Sequence, residues 1–316
     1  MITILSVHMN KRDTSEKIKE PQSLRGEGFE PNRPSLNINW YPGHMTKAKR
    51  MISDNLKMVD AVCEIIDARI PISSRNPDLA EIIGKKPQII VINREDQADH
   101  SETMKWKNHF IADGAAVLET DSKTGKGVGS LSKVAKTLLK DRIEHFNTRG
   151  QTGRGIRLMV VGIPNVGKSS FINRVAKRKA ATASDRPGVT RGKQWISIDE
   201  GLELLDTPGV LWPKFDDRIV AENLAFTGAI RDDVMDIEAL GANLMLRLNN
   251  FYPKSLADRY KLDINSDLSG YELLKLAASK RGFLISGGEV DTERMAITVL
   301  DEFRAGKLGR ITLEQI

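Results

Sequence analysis

The sequence predicts an α/β protein with a mostly parallel sheet, helices on both faces of that sheet, and a small all-α domain at the C-terminal end. Short apolar segments alternate with helical patterns up to about residue 210, which is typical of a parallel sheet. One glycine-rich loop stands between such a segment and a helical pattern. Beyond about residue 210 the apolar residues recur at helical spacing only.

Six segments have the length and apolar content of buried strands. They are 61–67, 87–93, 115–121, 156–162, 193–199 and 202–209. Helices are predicted over 46–60, near 131–146 and from Lys168 onward, and the Gly- and Arg-rich stretch 147–155 is interpreted as a linker. We therefore expect a flexible tail over 1–36, an α/β domain over 37–215 and a helical domain over 216–316.

The composition is that of an intracellular globular protein. The chain has 316 residues, of which 40% are hydrophobic and 28% are charged. Its single cysteine, Cys63, excludes a disulfide framework and a Cys-rich zinc site. No apolar run reaches the roughly 18–20 residues of a membrane span, so a cytoplasmic location is expected. The net charge of +6 fits a polyanionic partner and a mildly basic enzyme equally well.

One segment fits the phosphate-binding pattern G-x-x-x-x-G-K-[ST]: GIPNVGKSS, residues 162–170. It follows a predicted strand and opens a helix, which is the context that supports the pattern. Glycines let backbone N–H groups approach a phosphate closely, and the helix N-terminus favours negative charge. Lys168 is expected to reach the β- and γ-phosphates, and the Ser169 hydroxyl to bind Mg²⁺. The nucleotide-binding residues predicted here are Asn165, Val166, Gly167, Lys168, Ser169 and Ser170.

Two segments after this loop have the features of nucleotide-sensing switches. The strand pattern LELLD ends at Asp206, whose carboxylate is suited to hold Mg²⁺ through water, and the N–H of Gly209 is suited to meet a γ-phosphate. The intervening stretch SDRPGVTRGKQW contains Pro187 and Thr190. The Thr190 hydroxyl is expected to bind Mg²⁺ when the loop closes over the γ-phosphate. A solvated loop threonine is the ordinary alternative.

A candidate base-reading motif, NRED, lies upstream at residues 93–96. A carboxylate such as Asp96 can accept two N–H bonds from the guanine edge, which adenine does not offer. Asn93 is expected to brace the loop, and Arg94 stands where such motifs usually have a lysine over the base. Ser122 and Lys123 follow the next predicted strand, where a backbone N–H is expected to meet the guanine carbonyl.

The order of these motifs along the chain is unusual. The base-reading motif comes first, then the phosphate loop, then the switches. The strands of a sheet can keep their places if the ends of an ordinary nucleotide-binding domain are joined and the chain is opened elsewhere at the surface. Opening it after the second switch attaches the helical domain directly to the γ-phosphate sensor. The order therefore predicts a circularly permuted P-loop fold of the guanine-nucleotide type.

Further segments complete a specific pattern. They are NWYPGHMTKAKR (39–50), DARIPISSRNP (67–77), RPGVTR, DTPGVLWPK and FRAGKLGRITLE (303–314). With NRED and GIPNVGKSS, they make the chain from about residue 37 to its end resemble the circularly permuted GTPases of the ribosome biogenesis GTPase A family. The resemblance implies GTP hydrolysis as a switch in late assembly of the large ribosomal subunit, stimulated by the particle. It also implies a helical domain that binds ribosomal RNA, with basic candidates Lys275, Lys280, Arg281, Lys307 and Arg310.

The resemblance also bears on catalysis. Many GTPases place a glutamine after Asp-x-x-Gly to orient the attacking water, but here that position is Val210. The family nominates His44, which can orient water or accept its proton near neutral pH. Asn165 corresponds to the residue through which several related GTPases bind K⁺, which would stabilise transition-state charge. Lys168, Thr190 and His44 are thus the expected catalytic residues.

Two other functions stay open from the residues. An ATP-using P-loop kinase is disfavoured by Asp96 and the switch segments. A nucleotide-clamped RNA-binding protein with negligible turnover is kept open by Val210 and Arg94. The expected protein is a monomer away from the ribosome.

Overall fold

An α/β region is followed by a helical region in the part of the chain that the structure describes. This computed structural model describes residues 45–151, 154–180, 195–199, 201–211, 217–263 and 267–316. The predicted tail 1–36, His44, Pro187 and Thr190 lie outside the described residues. The boundaries proposed for the three domains stay predictions.

The strands are β1 Ala61–Asp67, β2 Gln88–Asn93, β3 Ala116–Thr120, β4 Ile156–Gly162, β5 Trp195–Asp199 and β6 Leu202–Asp206. The helices of the α/β region are α1 Met45–Leu56, α2 Pro77–Ile83, α3 His100–Ala112, α4 Leu131–Leu138, α5 Lys140–Thr148 and α6 Lys168–Ala180. Those of the helical region are α7 Arg218–Phe226, α8 Ile237–Phe251, α9 Pro253–Tyr260, α10 Gly270–Arg281 and α11 Thr292–Arg304.

The described strands form one sheet in the order β3-β2-β1-β4-β6-β5. All neighbouring pairs are parallel except β5 and β6, so the prediction of a mostly parallel sheet is confirmed. The central strand β1 is buried along its whole length, because helices cover both faces of such a sheet. Its register places Ile65 opposite Gly162 at the start of the phosphate loop.

The strand order explains the permuted order of the motifs. The phosphate-loop strand β4 lies in the middle, with β6 and β5 on one side and β1, β2 and β3 on the other. A chain that began at β4 would lay down β5 and β6 and then β1, β2 and β3 outward in sequence. Joining the ends of such a chain and opening it between β6 and β1 gives the order observed here. The permuted sheet predicted from the sequence is confirmed.

The helices differ from the predictions in three respects. Helix α1 ends at Leu56, although a helix to residue 60 was predicted. The helix expected near 131–146 is two helices, because Leu139 leaves helical geometry at φ −103° and ψ 18° while its side chain packs into the core. Helices α2, α3, α7 and α9 were not predicted. The shorter ones carry too few turns for a clear apolar period. The buried face of α3 mixes the polar Glu102 and Thr103 with Trp106 and Phe110, which weakens its apolar period.

A continuous apolar core joins the two regions. Ile70 of the α/β region belongs to the same buried cluster as Leu224 of α7 and Ile311 near the C-terminus. The helical region therefore packs on the sheet region as an extension of its core. Within the described residues, every helix is too short or too polar to cross a membrane.

Candidate functional site

The predicted site residues meet at one edge of the sheet, where the parallel strands β2, β3, β4 and β6 end. Ligands bind outside the carboxyl ends of the strands in open α/β sheets. The loop 163–167 connects β4 to α6, and the segments 94–99 and 121–125 follow β2 and β3. Residues separated by the permutation in sequence are thereby neighbours in space.

Two glycines shape the phosphate loop, because any side chain at either position would displace neighbouring atoms. A Cβ on Gly162 would lie 2.8 Å from the carbonyl oxygen of Ile65. Gly167 has a φ of +94°, and a Cβ there would lie 2.4 Å from Nδ2 of Asn93. Helix α6 begins at Lys168, so its first N–H groups face the loop, as an anion site requires. Ser169 and Ser170, in the first turn of α6, are exposed.

Lys168 is paired with the switch carboxylate. Its Nζ donates to Oδ1 of Asp206 at 2.6 Å, with 10% of the lysine side chain and 34% of the aspartate side chain exposed. Phosphate oxygens would offer the lysine a second set of acceptors at the same place. The pair therefore brings together the two groups expected to contact the γ-phosphate and its metal ion.

The second switch segment lies against the phosphate loop. A Cβ on Gly209 would lie 3.0 Å from Cα of Pro164, so glycine permits this approach. The N–H of Val210 donates to the carbonyl of Gly162 at 3.2 Å, and its own carbonyl accepts from Asn76 Nδ2 at 3.1 Å. The Val210 side chain is 2% exposed and packs into an apolar cluster. This position points away from the site and cannot orient a water molecule.

Asn93 joins three loops. Its Nδ2 donates to the carbonyl of Val166 in the phosphate loop at 3.0 Å. Its Oδ1 accepts from Oγ1 of Thr120 at 3.2 Å, and from Oγ and N of Ser122 at 2.7 and 3.2 Å. Asn93 is 2% exposed, and both polar atoms of its side-chain amide take part in these contacts. The bracing role predicted for it agrees with this geometry.

Arg94 reaches the phosphate loop from the base-reading segment. Its φ of +61° lies in the left-handed region, which turns the side chain toward the loop. Nη2 donates to the carbonyl of Asn165 at 2.7 Å, and Nε lies 3.6 Å from Oδ2 of Asp67. The arginine thus links base-reading and phosphate loops by a charge-assisted bond.

Asp96 carries the carboxylate expected to read guanine. Burial raises its pKa, and the neighbouring Asp121 raises it further. Asp121 itself caps the turn after β3, where its Oδ1 accepts from the N–H of Lys123 at 2.7 Å. Desolvation and a nearby negative charge make the ionised form of Asp96 costly until a ligand donates to it. The segment 121–123 closes the same side of the site as Asp96.

Asn165 contacts the helical region. It lies in the left-handed region at φ +58°, and its Nδ2 donates to the carbonyl of Gly228 just after α7 at 2.6 Å. Arg304 of α11 holds the end of α7, donating to the carbonyls of Phe226 and Ala225 at 3.1 and 2.9 Å. The phosphate loop is therefore hydrogen-bonded to the helices that follow the second switch.

Several residues that support the site belong to none of the nucleotide-binding motifs. Arg174 on α6 donates to the carbonyls of Ser122 and Lys123, and Thr120 buttresses Asn93. Asp67 lies beside Arg94, although the sequence marked it only as part of a distinctive segment. Asp67 and Thr120 stand at the ends of β1 and β3, and this position is the signal by which the sequence could have indicated them. The described residues contain no group of three His, Cys, Asp or Glu side chains suited to hold a metal by themselves.

These observations define a class. A central β4 with a G-x-x-x-x-G-K-[ST] loop, an adjoining Asn-x-x-Asp loop and an Asp-x-x-Gly strand end, in permuted order, make a circularly permuted P-loop GTPase fold. A sequence model of the family described as "50S ribosome-binding GTPase" matches residues 157–243.

Comparison with known proteins gives the family. Ribosome biogenesis GTPase A of Priestia megaterium is 44% identical over 281 residues, 88% of this chain and 97% of that protein. A GDP-bound structure of YlqF matches with 29% identity and a TM-score of 0.57, covering 84% of this chain and 99% of that one. A GNP-bound YlqF from T. maritima matches with 28% identity and the same TM-score of 0.57, covering 85% and 98%. The chain belongs to the ribosome biogenesis GTPase A family, and the resemblance inferred from its motifs is confirmed.

Proposed function

We propose that this protein is a GTP-hydrolysing switch in late assembly of the large ribosomal subunit, and that it binds ribosomal RNA or the precursor particle and is stimulated by it. Its relatives are named for ribosome biogenesis and 50S ribosome binding. The single observation that carries the proposal for this chain is the bond between Asn165 and Gly228. It joins the phosphate loop to the region proposed to bind RNA, so nucleotide occupancy and RNA binding have a direct physical connection.

The residues present fit a Mg²⁺-bound nucleotide. Mg²⁺ prefers oxygen ligands, usually one or two protein oxygens with phosphates and water, and the Ser169 hydroxyl and the Asp206 carboxylate supply these at one sheet edge. When bound, the ion would neutralise phosphate charge. Lys168 would turn from Asp206 toward the β- and γ-phosphates. Thr190, outside the described residues, is proposed as a further hydroxyl ligand.

The group that orients the attacking water is proposed to lie outside the second switch, since Val210 is buried in the core. His44 is proposed for that role. K⁺ is proposed to bind Asn165, whose bond to Gly228 uses the amide nitrogen and not the amide oxygen. Hydrolysis rates in KCl and NaCl at equal ionic strength test this, and equal rates would exclude the cation.

The proposed RNA contacts are unequal in the structure. Lys275, Lys280, Lys307 and Arg310 are exposed. Arg281 pairs with Glu302 at 3.2 Å and stacks on the ring of Tyr260 at 5.3 Å. We therefore propose Lys275, Lys280, Lys307 and Arg310 as phosphate contacts, and a structural role for Arg281, which is also exposed but is held by Glu302 and Tyr260. The residues 216–316 are proposed to act as the RNA-binding unit of a cytoplasmic protein that is monomeric away from the ribosome.

The decisive experiment measures GTP hydrolysis without addition, with large ribosomal subunits and with small subunits. We expect stimulation by the large subunit only, because the water-orienting group is completed on the particle. A Lys168→Ala variant is the control for contaminating hydrolysis. Stimulation by neither subunit in single-turnover assays, with GTP binding retained, would favour a nucleotide-clamped RNA-binding protein, which Val210 supports as the second candidate.

A further inference from the structure

Two segments singled out in the sequence, 67–77 and 303–314, are not explained by nucleotide contacts. In the structure they meet each other. Nη1 of Arg69 donates to the carbonyl of Phe303 at 3.1 Å, and the N–H of Leu313 donates to the carbonyl of Arg69 at 2.8 Å. The C-terminal segment 311–316 thus returns from the helical region and lies along the end of β1.

The centre of this contact is a buried ion pair. Arg69 is 1% exposed, and its Nε and Nη2 donate to the two carboxylate oxygens of Asp67 at 2.9 and 2.7 Å. The guanidinium also lies 5.1 Å from the ring centroid of Phe303. Burial removes both charges from water, and only such close pairing and hydrogen bonding offsets the desolvation free energy. Such a pair fixes one arrangement of β1 against the end of α11.

A second buried group fastens the C-terminal segment. The Glu314 carboxylate accepts from the N–H groups of Ile72 and Ser73 at 2.6 and 2.9 Å, from Nδ2 of Asn223 at 3.1 Å, and from the Ser73 hydroxyl. Its neighbour Thr312 is fully buried. Four neutral donors, three from the turn that follows β1 and one from α7, therefore converge on one side chain. They hold the segment at a defined register.

Both parts of this contact touch the base-reading segment. The N–H of Ile311 donates to the carbonyl of Gln97 at 2.9 Å. Oγ1 of Thr312 accepts from the N–H of Asp99 at 3.1 Å. On the other side of Asp96, Oδ2 of Asp67 lies 3.6 Å from Nε of Arg94. The base-reading carboxylate is therefore held between neighbours that are themselves fastened to the helical region.

We infer that Asp67, Arg69 and residues 311–316 form a latch that positions the base-reading loop and couples nucleotide affinity to the placement of the helical region. These are positioning residues, since they act on the base through Arg94 and through the backbone around Asp96. By reciprocity, a partner that moves the helical region changes guanine-nucleotide affinity, and nucleotide changes the affinity for that partner. The inference rests on the proposed function only in taking this loop as the guanine site.

The test compares two ligands that share phosphates but differ in the base. GDP carrying a fluorescent group on its ribose reports the whole site, and inorganic tripolyphosphate reports the phosphate loop alone. The variants are Thr312→Val, which keeps the shape of a buried side chain, and Arg69→Gln. The matched control is Arg231→Gln, because Arg231 also pairs with an aspartate two residues away but on the surface, with its side chain 75% exposed.

We expect both latch variants to bind GDP about tenfold more weakly, within the usual range of coupling between sites, while tripolyphosphate affinity and the control stay unchanged. Unchanged GDP affinity in the Thr312→Val protein would overturn the latch. So would equal losses for GDP and tripolyphosphate, which indicate general loosening. Failure of the wild-type protein to bind GDP would instead remove the proposed function itself. Circular dichroism shows which variants fold. If Arg69→Gln does not fold, the Thr312→Val protein still decides the test.

Discussion

The guanidinium of Arg94 lies 2.7 Å, Nη2 to oxygen, from the main-chain carbonyl of Asn165. These residues belong to loops that the permutation separates along the chain, and the bond closes the base-reading loop onto the phosphate loop. Arg94, at a position where lysine is usual, therefore makes a direct contact between these two loops. Its fork also reaches Asp67 at 3.6 Å, which a lysine ammonium making the same carbonyl bond would not span.

Removing this link is expected to weaken guanine-nucleotide binding. In an Arg94→Ala protein the affinity for GDP should fall about tenfold, since a hydrogen bond from a charged group contributes about 1.5–3 kcal/mol. Arg94→Lys should lose less, because the charge and one donor are kept. Equilibrium titration with fluorescent GDP measures both. Equal affinity of wild type and Arg94→Ala would show that the Arg94 link does not support nucleotide binding.

The identity of the base is expected to depend on Asp96. An Asp96→Asn side chain offers one acceptor and one donor, which matches xanthine, whose 2-position carries an oxygen where guanine has an amino group. We expect GTP binding to fall by about a hundredfold or more, as two charge-assisted bonds are lost, and XTP binding to rise. Competition of GTP, XTP and ATP against fluorescent GDP measures this exchange. A variant that keeps its preference for GTP would exclude Asp96 as the base reader.

Gly167 is expected to be required for GDP binding, both because of its positive φ and because of the close approach of Asn93. Gly167→Ala introduces strain at φ +94° and a contact of 2.4 Å with Asn93 Nδ2. Gly114→Ala is the matched control, because its φ is +86° and nothing lies within 4 Å of the new Cβ. We expect the control to lose about 1 kcal/mol of unfolding free energy from backbone strain and to keep GDP binding. Gly167→Ala should also lose GDP binding; equal behaviour of the two proteins in denaturation and titration would contradict the close approach.

The ion pair at Asp67 predicts a pH dependence of stability. Burial raises the pKa of Asp67, but the charge and hydrogen bonds of Arg69, with Arg94, outweigh it and hold the pKa below the ordinary 3.8. Because the pKa of Asp67 is lower in the folded than in the unfolded protein, its carboxylate stabilises the fold at pH values above the unfolded-state pKa. This stabilisation is lost as the pH falls through the folded-state pKa. The gap in unfolding free energy between wild type and Asp67→Asn, about 3 kcal/mol near neutral pH, should therefore shrink on acidification below about pH 4. Urea denaturation across pH measures it, with Asp233→Asn, whose side chain is 55% exposed, as control.

Catalysis on the particle is expected to need His44. His44→Ala should bind GTP normally but lose about a hundredfold of the stimulated rate, the lower range for removal of a general acid or base. His145→Ala changes an exposed histidine of α5 and should leave the rate unchanged. Stimulated hydrolysis with large subunits measures both variants. A normal stimulated rate in the His44→Ala protein would remove this residue from the mechanism.

The motifs, the strand-helix alternation and the permuted fold follow from the order and spacing of residues along the chain. These features are local: Lys168 and Ser169 follow glycines at fixed spacing, and strands such as 61–67 are continuous apolar runs because both faces are buried. Short helices such as α2, and the break at Leu139, were missed because tertiary packing overrides weak local periodicity.

The contacts between residues far apart in the chain are set by the packing of the folded protein. Nothing in the spacing of Asn165 and Gly228, or of Arg69 and Phe303, indicates that they touch, because such contacts depend on how the helical region packs on the sheet. The burial of Val210 likewise follows from its place against the core and not from its neighbours in sequence. Local chemistry therefore predicts the nucleotide site, while long-range packing connects the loops of that predicted site to the helices. Side-chain partners across a core are selected by shape and charge rather than by sequence distance.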